Sequence, residues 1–202
     1  MNTPRAFPVG TGWVEVVTGC MFSGKTEELI RRLNRASYAT QRVMVFKPAI
    51  DVRYAEEDIV SHSSYRFSCI PVSNATEMLK RVGDAQVVGV DEAQFFEEDL
   101  VSVVDQLANQ GRRVVVAGLD QDYRGKPFGP MPGLMAISEY VTKTLAVCMV
   151  CGSPANRSQR LVHRNQQVLL GAEDSYEARC RLHWEPHAFD PDQQLLPLEE
   201  EA

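Results

Sequence analysis

Gly19-Cys20-Met21-Phe22-Ser23-Gly24-Lys25-Thr26 lies between two stretches of different periodicity, and its reading decides the fold. Upstream, Trp13–Thr18 (WVEVVT) is a short β-rich run; downstream, residues 26–39 place Leu29, Ile30 and Leu33 at helical spacing. The octet fits G-x-x-x-x-G-K-[ST] in the strand, loop, helix setting where that pattern works. Its glycines let the backbone curl so that successive N–H groups point at phosphate oxygens, and the helix behind adds its positive end. Lys25 is then placed to reach β- and γ-phosphates as a point charge. The Thr26 hydroxyl is placed to coordinate Mg²⁺.

Outward from this loop the pattern repeats. Residues 42–47 (RVMVFK) read as a second strand, and residues 75–82 as a helix signalled by Asn74 with Glu77 three positions on. Residues 87–90 read as a buried strand and residues 112–117 (RRVVVA) as another. Between them, residues 96–109 repeat Leu100, Val103, Val104 and Leu107 on one helical face. Strands separated by helices imply a parallel sheet with helices on both faces, an α/β fold of the phosphate-loop NTPase kind. Residues 118–133, rich in Gly and Pro, form a loop too long for a connector and a candidate for substrate contact.

The strand at 87–90 ends in Asp91-Glu92, and in such sheets the carboxyl ends of strands face the nucleotide. Asp91 fits the carboxylate that holds Mg²⁺, directly or through water. Glu92 is then available to accept a proton from whatever attacks the γ-phosphate. Water and an alcohol are equally compatible, so hydrolase and kinase both remain open. A plain helix N-terminus also favours such acids.

Composition changes at Cys148. Cys148-x-x-Cys151, 28 intervening residues, and Cys180-x-x-His183 offer four ligands in two short pairs, the spacing of a structural zinc site in a small C-terminal module. With all four positions filled by protein, the ion would stabilise a polar segment too small for its own core. The competing reading is buried or redox-active cysteines with a surface His183. Within this module only residues 167–170 read convincingly as a strand. Cys20 and Cys69 have no such neighbours and read as packing thiols.

The 202 residues are 44% hydrophobic and 24% charged, enough for one globular domain plus a small module. With 21 Lys and Arg against 27 Asp and Glu, the net charge of −6 excludes a general cationic field for a nucleic acid. The basic clusters, Arg31-Arg32-x-x-Arg35 and residues 157–164, read as a solvated helix face and a polar loop. No apolar run approaches the roughly 18 residues of a membrane span, residues 1–10 lack a secretory pattern, and an odd cysteine count fits a reducing compartment; the expectation is a mature cytoplasmic protein with no membrane partner. The division expected is a tail at 1–12, the α/β domain at 13–146, the zinc module at 147–184 and a disordered acidic tail at 185–202.

Together these blocks resemble the type II thymidine kinases, the zinc-containing and usually tetrameric family. The resemblance runs from about Trp13 to Trp184. It is carried by the phosphate loop, by Lys47-Pro48-Ala49-Ile50-Asp51-Val52-Arg53-Tyr54, and by Asp91-Glu92-Ala93-Gln94-Phe95-Phe96. Gly118-Leu119-Asp120, Lys126-Pro127-Phe128-Gly129 and the Cys/His pairs complete it.

The resemblance implies ATP-dependent phosphorylation of the 5′-hydroxyl of thymidine or deoxyuridine, with ATP, Mg²⁺ and structural Zn²⁺ as cofactors, and a homotetramer. It implies that Glu92 is the base, that the loop residues, Asp91, Gln94 and Arg53 bind ATP, and that Asp51 and Met21 lie near phosphates and nucleoside. Phe95, Leu119, Tyr123 and Phe128 would line the pyrimidine pocket, closed by Tyr176 and a lasso at 168–174 that includes Leu169. Two departures stand out: Ser63-Ser64 replaces a glycine-containing turn, and His183 is the fourth ligand where cysteine is common. The alternative is a phosphate-loop ATPase whose zinc module grips nucleic acid or a protein partner.

Overall fold

The computed structural model describes residues 10–49, 58–60, 66–162 and 175–186, with backbone alone for 58–60, 66 and 67. Among them, β1 (Trp13–Thr18), β2 (Val43–Pro48), β5 (Ile70–Val72), β6 (Val87–Val90), β7 (Arg113–Gly118) and β8 (Tyr140–Lys143) form a six-stranded sheet ordered β5-β2-β6-β7-β1-β8. Every pairing in it is parallel. The strands β3 (Asp58–Val60) and β4 (Arg66–Ser68) form a separate antiparallel pair.

Helices cover both faces, as the alternation of sequence elements requires. Helix α1 (Lys25–Tyr38) buries Leu29, Ile30, Leu33 and Ala36 against Val17, Val45, Val87, Val115 and Ala117. The opposite face takes α2 (Ala75–Arg81), α3 (Asp99–Asn109) and α4 (Met131–Ile137), which meet Val14, Val16, Phe46, Val88, Val90, Val114 and Val116. Asn74 caps α2 as expected: its side chain accepts from the Glu77 amide at 2.8 Å, and Glu77 accepts from the Ser73 amide at 2.8 Å. Cys20 and Cys69 are buried thiols in packing roles.

Five expectations change. Residues 118–133 are not loop throughout, because α4 begins at Met131; Pro132 is tolerated in its first turn, where no intrahelical donor is lost. Strand β8 was not foreseen: Tyr140-Val141-Thr142-Lys143 pairs with only one neighbour at the sheet edge, so it lacks the continuous apolar character of a central strand.

The module beyond Cys148 holds more strand than expected. Its β10 (Pro154–Ala155) pairs with β9 (Ala146–Val147), and β11 (Arg157–Arg160) with β12 (Tyr176–Arg179); residues 167–170 lie outside the described set. Arg157 and Arg160 are accordingly buried strand residues at 9% and 1% exposure, not a solvated loop. On α1, Arg31 and Arg35 are exposed as read, but Arg32 lies in a semi-buried ion network with Glu15 (2.9 Å) and Glu28 (2.7 Å). Glu15 also accepts from Arg113 at 2.6 Å and from the Trp13 indole; burial alone would raise its carboxyl, and those donors hold it below the usual value.

Candidate active site

The sheet delivers its chemistry along one edge. β1 ends at Thr18 and β6 at Val90, with β7 between them, so the phosphate loop and Asp91-Glu92 emerge side by side from the carboxyl ends of parallel strands. Gly19 (φ +146°) and Gly24 (φ +80°) take backbone conformations that side chains resist; a Cβ at 19 would lie 2.3 Å from the Thr144 carbonyl oxygen. Gly24 caps α1 with no side chain of its own, leaving the first helical N–H groups directed into the loop. Ser23 Oγ donates to the Cys20 carbonyl at 2.8 Å, and Lys25 Nζ to the same oxygen at 2.9 Å.

The Thr26 hydroxyl sits 3.3 and 3.5 Å from the two carboxylate oxygens of Asp91, a pair of hard oxygen donors that suits Mg²⁺. Asp91 is buried; desolvation first, and the Glu92 carboxylate second, push its carboxyl up to about 7. Glu92 is half-buried and holds left-handed backbone, φ +51° and ψ +39°. Its side chain accepts from Gln94 Nε2 at 2.5 Å, and Gln94 Oε1 accepts from the Leu119 amide at 2.9 Å.

Four of the predicted pocket residues, with Met21, come together in two groups, and Leu119 meets Gln94 through its amide. Phe95 and Phe128 meet edge to face with centroids 5.7 Å apart. Tyr123 and Tyr176 pack together with Met21 and Val162 beside them. The hairpin that presents Tyr123 is tied by Asp122, whose carboxylate accepts from the amides of Arg124 and Lys126, both at 2.9 Å. Asp51, Arg53 and Leu169 lie outside the described residues.

Cys148, Cys151, Cys180 and His183 converge, their ligand atoms all within 4.8 Å of one another. The Cys151 and Cys180 sulfurs are 3.9 Å apart, and His183 Nδ1 is 3.9 Å from Cys148 Sγ and 3.3 Å from Cys180 Sγ. A tetrahedral zinc with about 2.3 Å bonds to sulfur requires sulfurs roughly 3.8 Å apart, so the cluster fits that ion. All five cysteines are free, and the 3.9 Å between the Cys151 and Cys180 sulfurs is well beyond the roughly 2 Å of a disulfide bond. Burial raises the Cys148 thiol, but the amides of Cys180, Val150 and Cys151 outweigh it and bring it down to about 6.

The module is joined to the phosphate loop directly. Ser158 Oγ accepts from the Met21 amide at 3.0 Å, and Cys20 Sγ donates to the Ala155 carbonyl at 3.4 Å. Trp184, next to the last ligand, donates from its indole to the Tyr123 carbonyl and lies under Arg157, 4.6 Å from the guanidinium.

A family model for thymidine kinase matches residues 12–184. The thymidine kinase of Rhodothermus sp. (strain ITI 518) is 58% identical over 175 residues, covering 87% of this chain and 82% of that relative. The chain belongs to the thymidine kinase family. Its Cys/His cluster places it in the zinc-containing, type II branch.

Sequence reading missed three residues that brace the elements of the candidate site in this thymidine kinase family member. Ser158 and Arg160 sit in a polar tetrad, Arg-Ser-Gln-Arg, whose burial depends on partners distant in the chain. Trp184 had a usable signal, a large aromatic next to a metal ligand in a polar stretch. Among the described residues no helix is long and apolar enough to cross a membrane.

Proposed function

We propose that this enzyme transfers the γ-phosphoryl group of ATP to the 5′-hydroxyl of thymidine, and of deoxyuridine, with Glu92 as general base. The observation that supports the reading is the Thr26–Asp91 contact at 3.3 Å, which joins the phosphate loop to the first acid of the pair, with Glu92 next in sequence. Thr26 and Asp91 would hold Mg²⁺, which neutralises phosphate charge when bound. The Glu92 carboxylate takes the 5′-hydroxyl proton as the sugar oxygen bonds to the γ-phosphorus. The bond from that phosphorus to the bridging oxygen breaks, and ADP leaves. The Lys25 ammonium and the loop amides balance charge on the transferred group.

Phe95, Phe128, Tyr123, Tyr176 and Met21 suit the faces of a flat pyrimidine, and Leu119, Asp51, Arg53 and Leu169 complete the sites by resemblance. Zinc at Cys148, Cys151, Cys180 and His183 would be structural, since four protein ligands leave no open position. The boundaries proposed are an α/β kinase domain at 13–146 and a zinc module at 147–184, flanked by tails. A homotetramer in the cytoplasm is proposed with them; exposed Tyr140, Val141, Leu145, Val147 and Met149 near the sheet edge support self-association.

Incubation with ATP, Mg²⁺ and each of four deoxynucleosides, with ADP as readout, tests the reaction. ADP released only with thymidine and deoxyuridine is the expected result. ADP release indifferent to nucleoside would make the protein a hydrolase. Glu92→Gln should bind both substrates and lose at least about a hundredfold in turnover; near-normal turnover would remove Glu92 as the base.

A further inference from the structure

Glu92 carries a backbone conformation that a non-glycine residue holds at a cost of order 1 kcal/mol, which asks for a reason in the side chain's placement. The reason lies two residues on. Gln94, in the 3-10 turn Ala93–Phe95, is 2% exposed and its amide is held at both ends. The Leu119 peptide N–H can only donate, so the oxygen of the Gln94 amide must face it at 2.9 Å. That orientation leaves the NH₂ to donate to Glu92 Oε2 at 2.5 Å.

Leu119 directly follows β7, the strand between the phosphate-loop strand and the Asp91-Glu92 strand, so the chain of bonds runs from the rigid sheet to the carboxylate. Two glycines clear room for it. A Cβ at Gly118 would lie 2.9 Å from Gln94 Oε1, and one at Gly129 would lie 2.4 Å from the Gln94 carbonyl oxygen. One carboxylate oxygen of Glu92 is thus tethered. Among the described residues the other, Oε1, has no donor.

We infer that Gln94 is a positioning residue: it tethers one oxygen of Glu92 to the end of β7 and so aims the other at the sugar hydroxyl, instead of binding ATP itself. The inference rests on the reading of Glu92 as the base. A carboxylate held at one oxygen keeps a single rotamer, and misplacing a reacting group by about 1 Å costs up to a hundredfold in rate.

The test is a double-mutant cycle of Gln94→Met with Glu92→Gln, reading kcat and the KM for each substrate, with melting temperature and metal content as fold controls. Expected are a fall in kcat of about tenfold or more for Gln94→Met, both KM values within about twofold, and less than about a further twofold loss when Gln94→Met is added to Glu92→Gln. Equal-fold losses in both backgrounds would show a general structural role and overturn the inference, as would a raised KM for ATP at constant kcat. If Gln94→Met does not fold, Gln94→Asn carries the same cycle, because it keeps the amide but is one methylene too short to span Leu119 and Glu92. A Glu92→Gln single variant with near-normal turnover sinks the base assignment itself, separately from anything seen at position 94.

Discussion

The Arg160 guanidinium lies 3.7 Å over the ring of Tyr123 and donates to the Tyr176 hydroxyl at 2.8 Å, so one buried cation joins the Tyr123 hairpin to the segment that carries the Cys/His cluster. Only 1% of Arg160 is exposed. A desolvated cation over an aromatic face contributes about 2 kcal/mol, and a hydrogen bond from a charged group a similar amount. Its planar fork serves both tyrosines at once, which an ammonium does not.

Arg160→Lys should therefore fold, yet raise the KM for thymidine about tenfold or more with little change in the KM for ATP. Steady-state kinetics with each substrate varied in turn check this. Equal effects on both substrates would mean that Arg160 supports the whole fold and not the nucleoside pocket.

Zinc should be present at one equivalent per chain, and its removal should weaken both substrates. The Ser158–Met21 and Cys20–Ala155 bonds carry a disturbance of the module into the phosphate loop. Metal analysis and thermal melting before and after chelation, with and without ATP, give the measure. A chelated protein that ATP still protects normally would contradict the coupling.

Cys148 sets an acid limit. Its thiol, ordinarily near 9, is brought down to about 6. A depressed value means that the contribution to stability is complete above about 9, shrinks as the pH falls, and is gone below about 6; metal retention follows the same direction because protons compete for the sulfur. Zinc release followed with a chromophoric chelator should increase as the pH is lowered from 8 to 5.

Asp91 has the opposite sign. Its carboxyl is raised to about 7 from 3.8, so its contribution is fully present below about 4 and is lost as the pH climbs through 7. Asp91→Asn should melt several degrees higher than the parent at pH 8, lose that advantage at pH 4 to 5, and have almost no turnover. Scanning calorimetry at the two pH values decides it.

Gly125 has φ +73°, and a Cβ there would lie 2.5 Å from the Trp184 ring. Gly125→Ala should displace Trp184 from the Tyr123 hairpin, lowering the melting temperature by several degrees and raising the KM for thymidine. Asn74→Ala, which removes the cap of α2 far from the site, should cost about 1 kcal/mol and leave both KM values unchanged.

Much of this was legible in the chain because the signals are local. The phosphate loop is set by two glycines and a lysine within eight residues, the acids by their place after an apolar strand, and the metal cluster by two pairs of close ligands. What escaped reading depends on distant partners. Arg157 and Arg160 look solvated in sequence, yet their partners are Trp184, Tyr123 and Tyr176, residues 16 to 37 positions away. Strand β8 is recognisable only once β1 is beside it, and α4 begins among the prolines and glycines that signal a loop. Gln94 reads by resemblance as an ATP contact, and its bond to Glu92 emerges only once the Leu119 amide shows which way its side chain faces.

The bond between the Met21 amide and Ser158 has a practical meaning for anyone recombining this enzyme with its relatives. A crossover placed at the start of the cysteine-bearing segment would separate the two halves of one small device. Transplanted segments must bring a hydroxyl at position 158, or the recipient inherits a nucleotide cradle with one wall unsupported.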